Sequence, residues 1–154
     1  MIKKGDILVT SYRLDPVAWF IRFFTESQWN HVALVINEKE VLEAKPRGIF
    51  INPIKKYQNR FLYNTVFVRP IGVDKKDINS IIAIGKKQIG IKKRRKWLVT
   101  LICLLLTLPY AVPRLTCSGL IGYLFWLIKF QFTDKIPDTI TPEDIYSSKN
   151  VRRL

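Results

Sequence analysis

What the chain lacks narrows it quickly. It has only two cysteines, Cys103 and Cys117, whereas a disulfide-stapled secreted scaffold carries four or more in a shorter chain. Both therefore read as free thiols of a reducing compartment. His31 is the single histidine, and one imidazole with two thiols at no ligand-like spacing does not make an ordinary zinc site, so no metal is expected. No glycine-rich phosphate loop is present, and no cofactor is expected. Acid is scarce, with 12 Asp and Glu against 26 Lys and Arg, and the resulting charge of +14 calls for an anionic partner or surface. A long apolar run is missing too. The uncharged stretch Trp97 to Val112 contains Pro109 and falls short of the roughly twenty residues that a spanning helix needs. Met1-Ile2-Lys3-Lys4-Gly5-Asp6 reaches Gly-Asp before any apolar run of signal-peptide length, which sets the expectation of a cytoplasmic protein, at most peripheral at a membrane.

What is present suffices for one domain. At 154 residues, 48% of them hydrophobic, the chain can build a core without staples, and residues 1–154 read as a single unit. Ile7-Leu8-Val9 reads as a short buried strand. Asp15-Pro16 supplies a cap and a first-turn proline for a helix of about three turns. His31 to Ile36 is a strand, Asn37 to Glu40 a polar turn, and Val41 to Ala44 its hairpin partner. Further strands are expected at Gly48 to Asn52 and Thr65 to Arg69, the latter stopped by Pro70. From Asp74 to Gln88 the spacing of Ile78, Ile81, Ile82 and Ile84 is helical, with Asp77 near the start and Lys86-Lys87 near the end, as the helix dipole favours. Another helix begins at Thr116 and runs through Ile128, and Thr141-Pro142-Glu143-Asp144 looks like a short capped turn. The elements point to an α+β fold, a mainly antiparallel sheet or half-barrel against helices.

Chemistry concentrates at Thr116-Cys117-Ser118-Gly119. Thr116 is a good N-cap, and it places the Cys117 thiol in a first helical turn, where unpaired N–H groups and the positive dipole end favour a thiolate. The competing reading is a core cysteine on an apolar helix; Cys103, inside Leu101-Ile102-Cys103-Leu104-Leu105, has only that reading. Any Cys-His chemistry must use His31, which sits at the mouth of a strand; otherwise it is a surface or capping histidine. Glu43, between Leu42 and Ala44 on the partner strand, is the candidate to orient the imidazole, the alternative being a solvent-facing residue of an alternating strand. Hairpin register decides: a three-residue loop at Asn37 to Lys39 puts Glu43 on the face of His31, whereas a two-residue loop puts it on the other. Asn52 is the reserve orienter.

Gly5-Asp6-Ile7-Leu8, His31-Val32-Ala33-Leu34-Val35-Ile36, Leu42-Glu43-Ala44 with Gly48, and Thr116-Cys117-Ser118-Gly119-Leu120-Ile121 together resemble the permuted papain-like amidases of NlpC type, the YiiX/YaeF-like branch. Lecithin:retinol acyltransferase-like proteins share the same order of His, acid and Cys. The likeness spans nearly the whole chain, including Ile140-Thr141-Pro142-Glu143-Asp144. It implies a permuted papain-like fold with Cys117 as nucleophile, His31 as base and Glu43 as orienter. Two departures stand beside the implied cleft. Gly119 occupies a place where the family often has a carboxylate, and Gly90-Ile91-Lys92-Lys93 replaces a Gly-x-x-Tyr-like stretch.

The basic run Lys92-Lys93-Arg94-Arg95-Lys96, followed by the apolar segment up to residue 112, is the kind of cluster that meets anionic headgroups. The alternative is a buried helix preceded by a solvated basic turn. Nucleic acid is a poor match, since the aromatics sit mostly in apolar runs and form no stacking platform. The expected activity is thiol-based hydrolysis or acyl transfer on a peptide or lipid-linked amide or ester, at a membrane surface by the tilt of the basic and apolar segments. The rival is a module of the same fold that binds membranes or polyanions without chemistry.

Overall fold

In a computed structural model the chain is described over residues 1–13, 28–45, 47–90 and 116–154. Six strands form one antiparallel sheet: β1 (Ile7–Tyr12), β2 (His31–Val35), β3 (Glu40–Lys45), β4 (Gly48–Pro53), β5 (Tyr63–Pro70) and β6 (Val151–Arg153), in the spatial order β4-β3-β2-β1-β5-β6. Three helices are described: α1 (Lys75–Lys87), α2 (Cys117–Trp126) and α3 (Pro142–Ser147). The α+β expectation with a mainly antiparallel sheet is met. The helix expected after Asp15-Pro16 and the segment 92–112 lie outside the described residues.

Each helix forms where its sequence supplies both a start and a buried stripe. Asp74 caps α1 by accepting from the Asp77 N–H at 2.7 Å, and Ile78, Ile81, Ile82 and Gly85 recur at the spacing of a single helix face and are buried. Gly85 lets that face sit close on the sheet, since a methyl group there would lie 2.4 Å from the Leu42 side chain. In α2 most residues from Ser118 to Phe125 are buried, the pattern of a helix enclosed by its neighbours. Thr141 and Asp144 cap α3 reciprocally.

Alternation along the strands divides the sheet into two faces. Ile7, Val9, Val32, Leu34, Leu42 and Val68 join Ile81, Leu120, Ile121, Leu124 and Phe125 in the larger core on the helical side. Leu8, Ala33, Val35 and Val41 form a smaller core on the other face with Ile54 and Tyr57, two residues of the 3-10 turn Ile54–Gln58. Sequence patterning shows neither that turn nor β6, because both are too short to display a period. At the edge of the larger core Arg69 donates to both oxygens of the buried Asp6, at 2.7 and 2.8 Å. The Gly-Asp motif at the N-terminus thus ties β1 to β5 and stands apart from the chemistry below.

Candidate functional site

The hairpin settles the face of Glu43. Ile36 N–H bonds the carbonyl of Glu40, so the loop is the three-residue one, Asn37 to Lys39. Val35 then stands opposite Val41. Glu43, two residues on from Val41, therefore shares the face of His31, four residues back from Val35. Val41 also pairs with Asn52 and Glu43 with Phe50, so Asn52 and Phe50 belong to that face as well.

Glu43 is fully buried, not the solvent-facing residue that an alternating strand would allow. It accepts from four donors: the His31 imidazole at 2.5 Å and Tyr57 Oη at 2.6 Å on Oε2, and Asn52 Nδ2 at 2.6 Å and Lys45 Nζ at 2.8 Å on Oε1. A carboxylate in the interior needs this degree of satisfaction. Burial pushes its pKa up, but the hydrogen bond and charge of His31, with Lys45 and Tyr57, prevail and bring it down to about 2. Asn52 was the reserve partner for the imidazole; it holds the carboxylate instead.

His31 uses Nε2 toward Glu43, which leaves Nδ1 free to face the neighbouring Cys117 thiol. Desolvation pulls the imidazole pKa down, yet the charge and hydrogen bond of Cys117 and those of Glu43 outweigh it and raise it to about 9. Cys117 opens α2, with Thr116 as its cap: Thr116 Oγ1 accepts from the Gly119 N–H at 2.9 Å. The sulfur also receives the backbone N–H groups of Val32 and Ser118. Burial disfavours the thiolate, but His31 and these N–H groups hold the Cys117 pKa below its ordinary 9.0. Both shifts favour thiolate and imidazolium over thiol and neutral ring, and Glu43 faces the ring from the far side.

Residues that sequence reasoning missed complete the surroundings. Tyr57 sits in a 3-10 turn with no periodicity to mark it, and Lys45 reads as an ordinary strand-end lysine. Thr65 Oγ1 donates to the Tyr57 carbonyl at 2.9 Å and lies 2.9 Å from Thr10 Oγ1. Thr10 is paired with His31 across β1 and β2, so this chain of hydroxyls fixes the turn against β5 and β1, the latter beside the strand that carries the imidazole.

Gly119 has a local reason to be glycine. A Cβ at this position would lie 2.7 Å from Thr116 Oγ1, the atom that caps α2, so a carboxylate here is incompatible with this cap. Gly119→Ala is expected to displace the Thr116 hydroxyl and to cost about 1 kcal/mol of stability, the usual worth of an N-cap. Thermal unfolding beside Thr116→Ala checks this: the two variants should lose similar amounts, and the double variant little more than either alone.

No protein-family model matches the chain, and no curated protein matches it. Among solved structures it is similar to the metalloprotein YiiX of Escherichia coli O157:H7, described as DUF1105. The match covers 99% of this chain and 96% of that one, at 14% sequence identity and a TM-score of 0.69. Identity this low speaks for architecture and leaves chemistry to the residues themselves. The chain has a YiiX-like α+β fold.

Proposed function

We propose that the protein is a cysteine hydrolase or acyltransferase acting on an amide or ester carbonyl, with Cys117 as nucleophile, His31 as acid–base and Glu43 as orienter, on a permuted papain-like fold. The observation that carries this reading is the buried Glu43 carboxylate bonded to the His31 imidazole, with Cys117 at a helix start close enough to that ring for each to shift the other's pKa. A cysteine serving only the core has no need of an imidazolium beside it.

In the proposed reaction the Cys117 thiolate adds to the carbonyl carbon, and the carbonyl π electrons move onto oxygen. Gly119 N–H is taken by Thr116 Oγ1, and Leu120 N–H by the Thr116 carbonyl. The N–H group left at the start of α2 to receive this oxyanion is that of Cys117, joined by that of Ser118 once the sulfur has given up its negative charge to the new bond. His31 gives its Nδ1 proton to the departing amine or alkoxide as the C–N or C–O bond breaks, leaving a thioester on Cys117. Neutral His31 then takes a proton from water or another acceptor, whose oxygen or nitrogen attacks the thioester and releases the thiolate.

A metal does not suit the same residues. His31 Nε2 and both Glu43 oxygens are occupied by protein partners, and the described residues contain no cluster of three or more His, Cys, Asp or Glu able to hold an ion. No step is assigned to one. Among the described residues no helix is long and apolar enough to cross a membrane. The basic run Lys92-Lys93-Arg94-Arg95-Lys96 and the apolar segment up to residue 112 suit a substrate at an anionic membrane surface.

The test is the covalent intermediate. Incubation with p-nitrophenyl acetate should leave an acetyl group on Cys117, found by peptide mass mapping, removable by hydroxylamine and absent from Cys117→Ala. A wild-type protein that binds anionic vesicles yet never forms a thioester would favour the non-catalytic module.

A further inference from the structure

Two donors share one oxygen of Glu43. His31 Nε2 reaches Oε2 at 2.5 Å and Tyr57 Oη reaches the same atom at 2.6 Å, while Asn52 Nδ2 and Lys45 Nζ take Oε1. The imidazole and the phenol thus draw on the lone pairs of a single atom, so charge given to one is withheld from the other. Tyr57 is held firmly in this place. Its side chain is buried in the smaller core with Leu8, Ala33 and Ile54, and its ring stands 6.2 Å from the His31 ring at an interplanar angle of 27°. Tyr63 meets the same ring edge-on at 5.2 Å, and Thr65 Oγ1 donates to the Tyr57 carbonyl at 2.9 Å. The packing needs only the ring; the hydroxyl goes to the carboxylate. Burial, with the hydrogen bond and charge of Glu43, pushes the phenol pKa far above its ordinary 10.0, so Tyr57 keeps its proton wherever the site titrates.

We infer that Tyr57 is a positioning residue of the hydrolase: its hydroxyl holds Glu43 as a carboxylate and limits the pull of that carboxylate on the imidazole, so that His31 can still surrender a proton to the leaving group. This role rests on the proposed hydrolase reading and gives the site a fourth member. Without the phenol the charge on Oε2 goes to His31 alone, and the ring becomes more basic. Losing Glu43 itself has the opposite sign. The other titratable groups around the pair are Lys45 on β3, Lys56 on the 3-10 turn, Tyr63 on β5 and Cys117 on α2. Tyr57→Phe takes away a neutral hydroxyl and leaves the charge of all of them in place.

Because His31 is the single histidine, an NMR titration of the imidazole reads its pKa directly. Tyr57→Phe should raise that pKa by about half a unit. The same rise is expected in a Cys117→Ala background, where no thiol titrates together with the ring. 3-Fluorotyrosine in place of Tyr57, a stronger donor of nearly the same shape, should lower it; this variant keeps the bond to Glu43 and carries the test even where Tyr57→Phe does not fold. Tyr63→Phe removes a neighbouring hydroxyl that makes no bond to Glu43 and should leave the value unchanged. The change in the rate of Cys117 alkylation by iodoacetamide that accompanies loss of the His31 proton should move with the NMR value. A fall or no change in Tyr57→Phe, or anything but a fall with 3-fluorotyrosine, would overturn the role of Tyr57 and leave the hydrolase reading intact. A wild-type imidazole that titrates at the ordinary 6.5 would instead strike at that reading, and the role of Tyr57 would fall with it.

Discussion

Replacing His31 by alanine should lower the rate of acyl-enzyme formation at neutral pH by about 10²- to 10⁴-fold, the range by which a positioned acid–base accelerates such steps. Two effects combine. Without the imidazolium the Cys117 thiol loses the strongest influence holding its pKa below 9.0, and burial, which opposes ionisation, is left nearly unanswered. The leaving group also loses its proton donor. Because His31 is the only histidine of the chain, no neighbouring imidazole can take over. The protein should still fold, since the ring lies at the mouth of β2, outside both cores, so native circular dichroism should accompany the loss, with a lowered melting temperature because buried Glu43 loses one of its donors.

Glu43→Ala should be the most destabilising single change at the site, by about 3–5 kcal/mol, the usual cost of breaking a buried ion pair from one side. Asn52, Tyr57, Lys45 and His31 would all lose an acceptor together. The pH dependence identifies the cause. Glu43 is depressed from 4.5 to about 2, so its contribution is complete above 4.5 and is lost as the pH falls toward 2. His31 is raised from 6.5 to about 9, so its contribution is complete below 6.5 and is lost as the pH rises through 9. Urea unfolding of wild type should therefore weaken at both ends of the scale, and Glu43→Ala should flatten the acid limb. With the carboxylate gone, the His31 pKa should fall by about 1–3 units, which moves the alkaline limb of reactivity inward.

The strands, the helix over Lys75–Lys87 and the start of α2 are legible in the sequence because each has a period or a cap: Ile78, Ile81 and Ile82 on one helix face, with Ile84 off it and exposed, and Thr116 before Cys117. The meeting of His31 with Glu43 is half legible. Patterning shows both strands, but the face of Glu43 turns on one loop residue, and nothing local chooses between a loop of two and one of three. Tyr57 and Lys45 are not legible at all. Their roles arise from a turn that folds back over the sheet, a long-range event without any sequence period. Gly119 is the reverse case: it departs from the family pattern, and the atom it makes room for, Thr116 Oγ1, is visible only in three dimensions.

The central claim is a thiolate held by an imidazolium, and the pH profile of Cys117 alkylation by iodoacetamide tests it most directly. Wild type should react fast from mildly acidic pH, change rate as His31 loses its proton near 9, and in His31→Ala show a single rise at or above the ordinary thiol value. A wild-type profile with one step at that ordinary value, unchanged in His31→Ala, would contradict it.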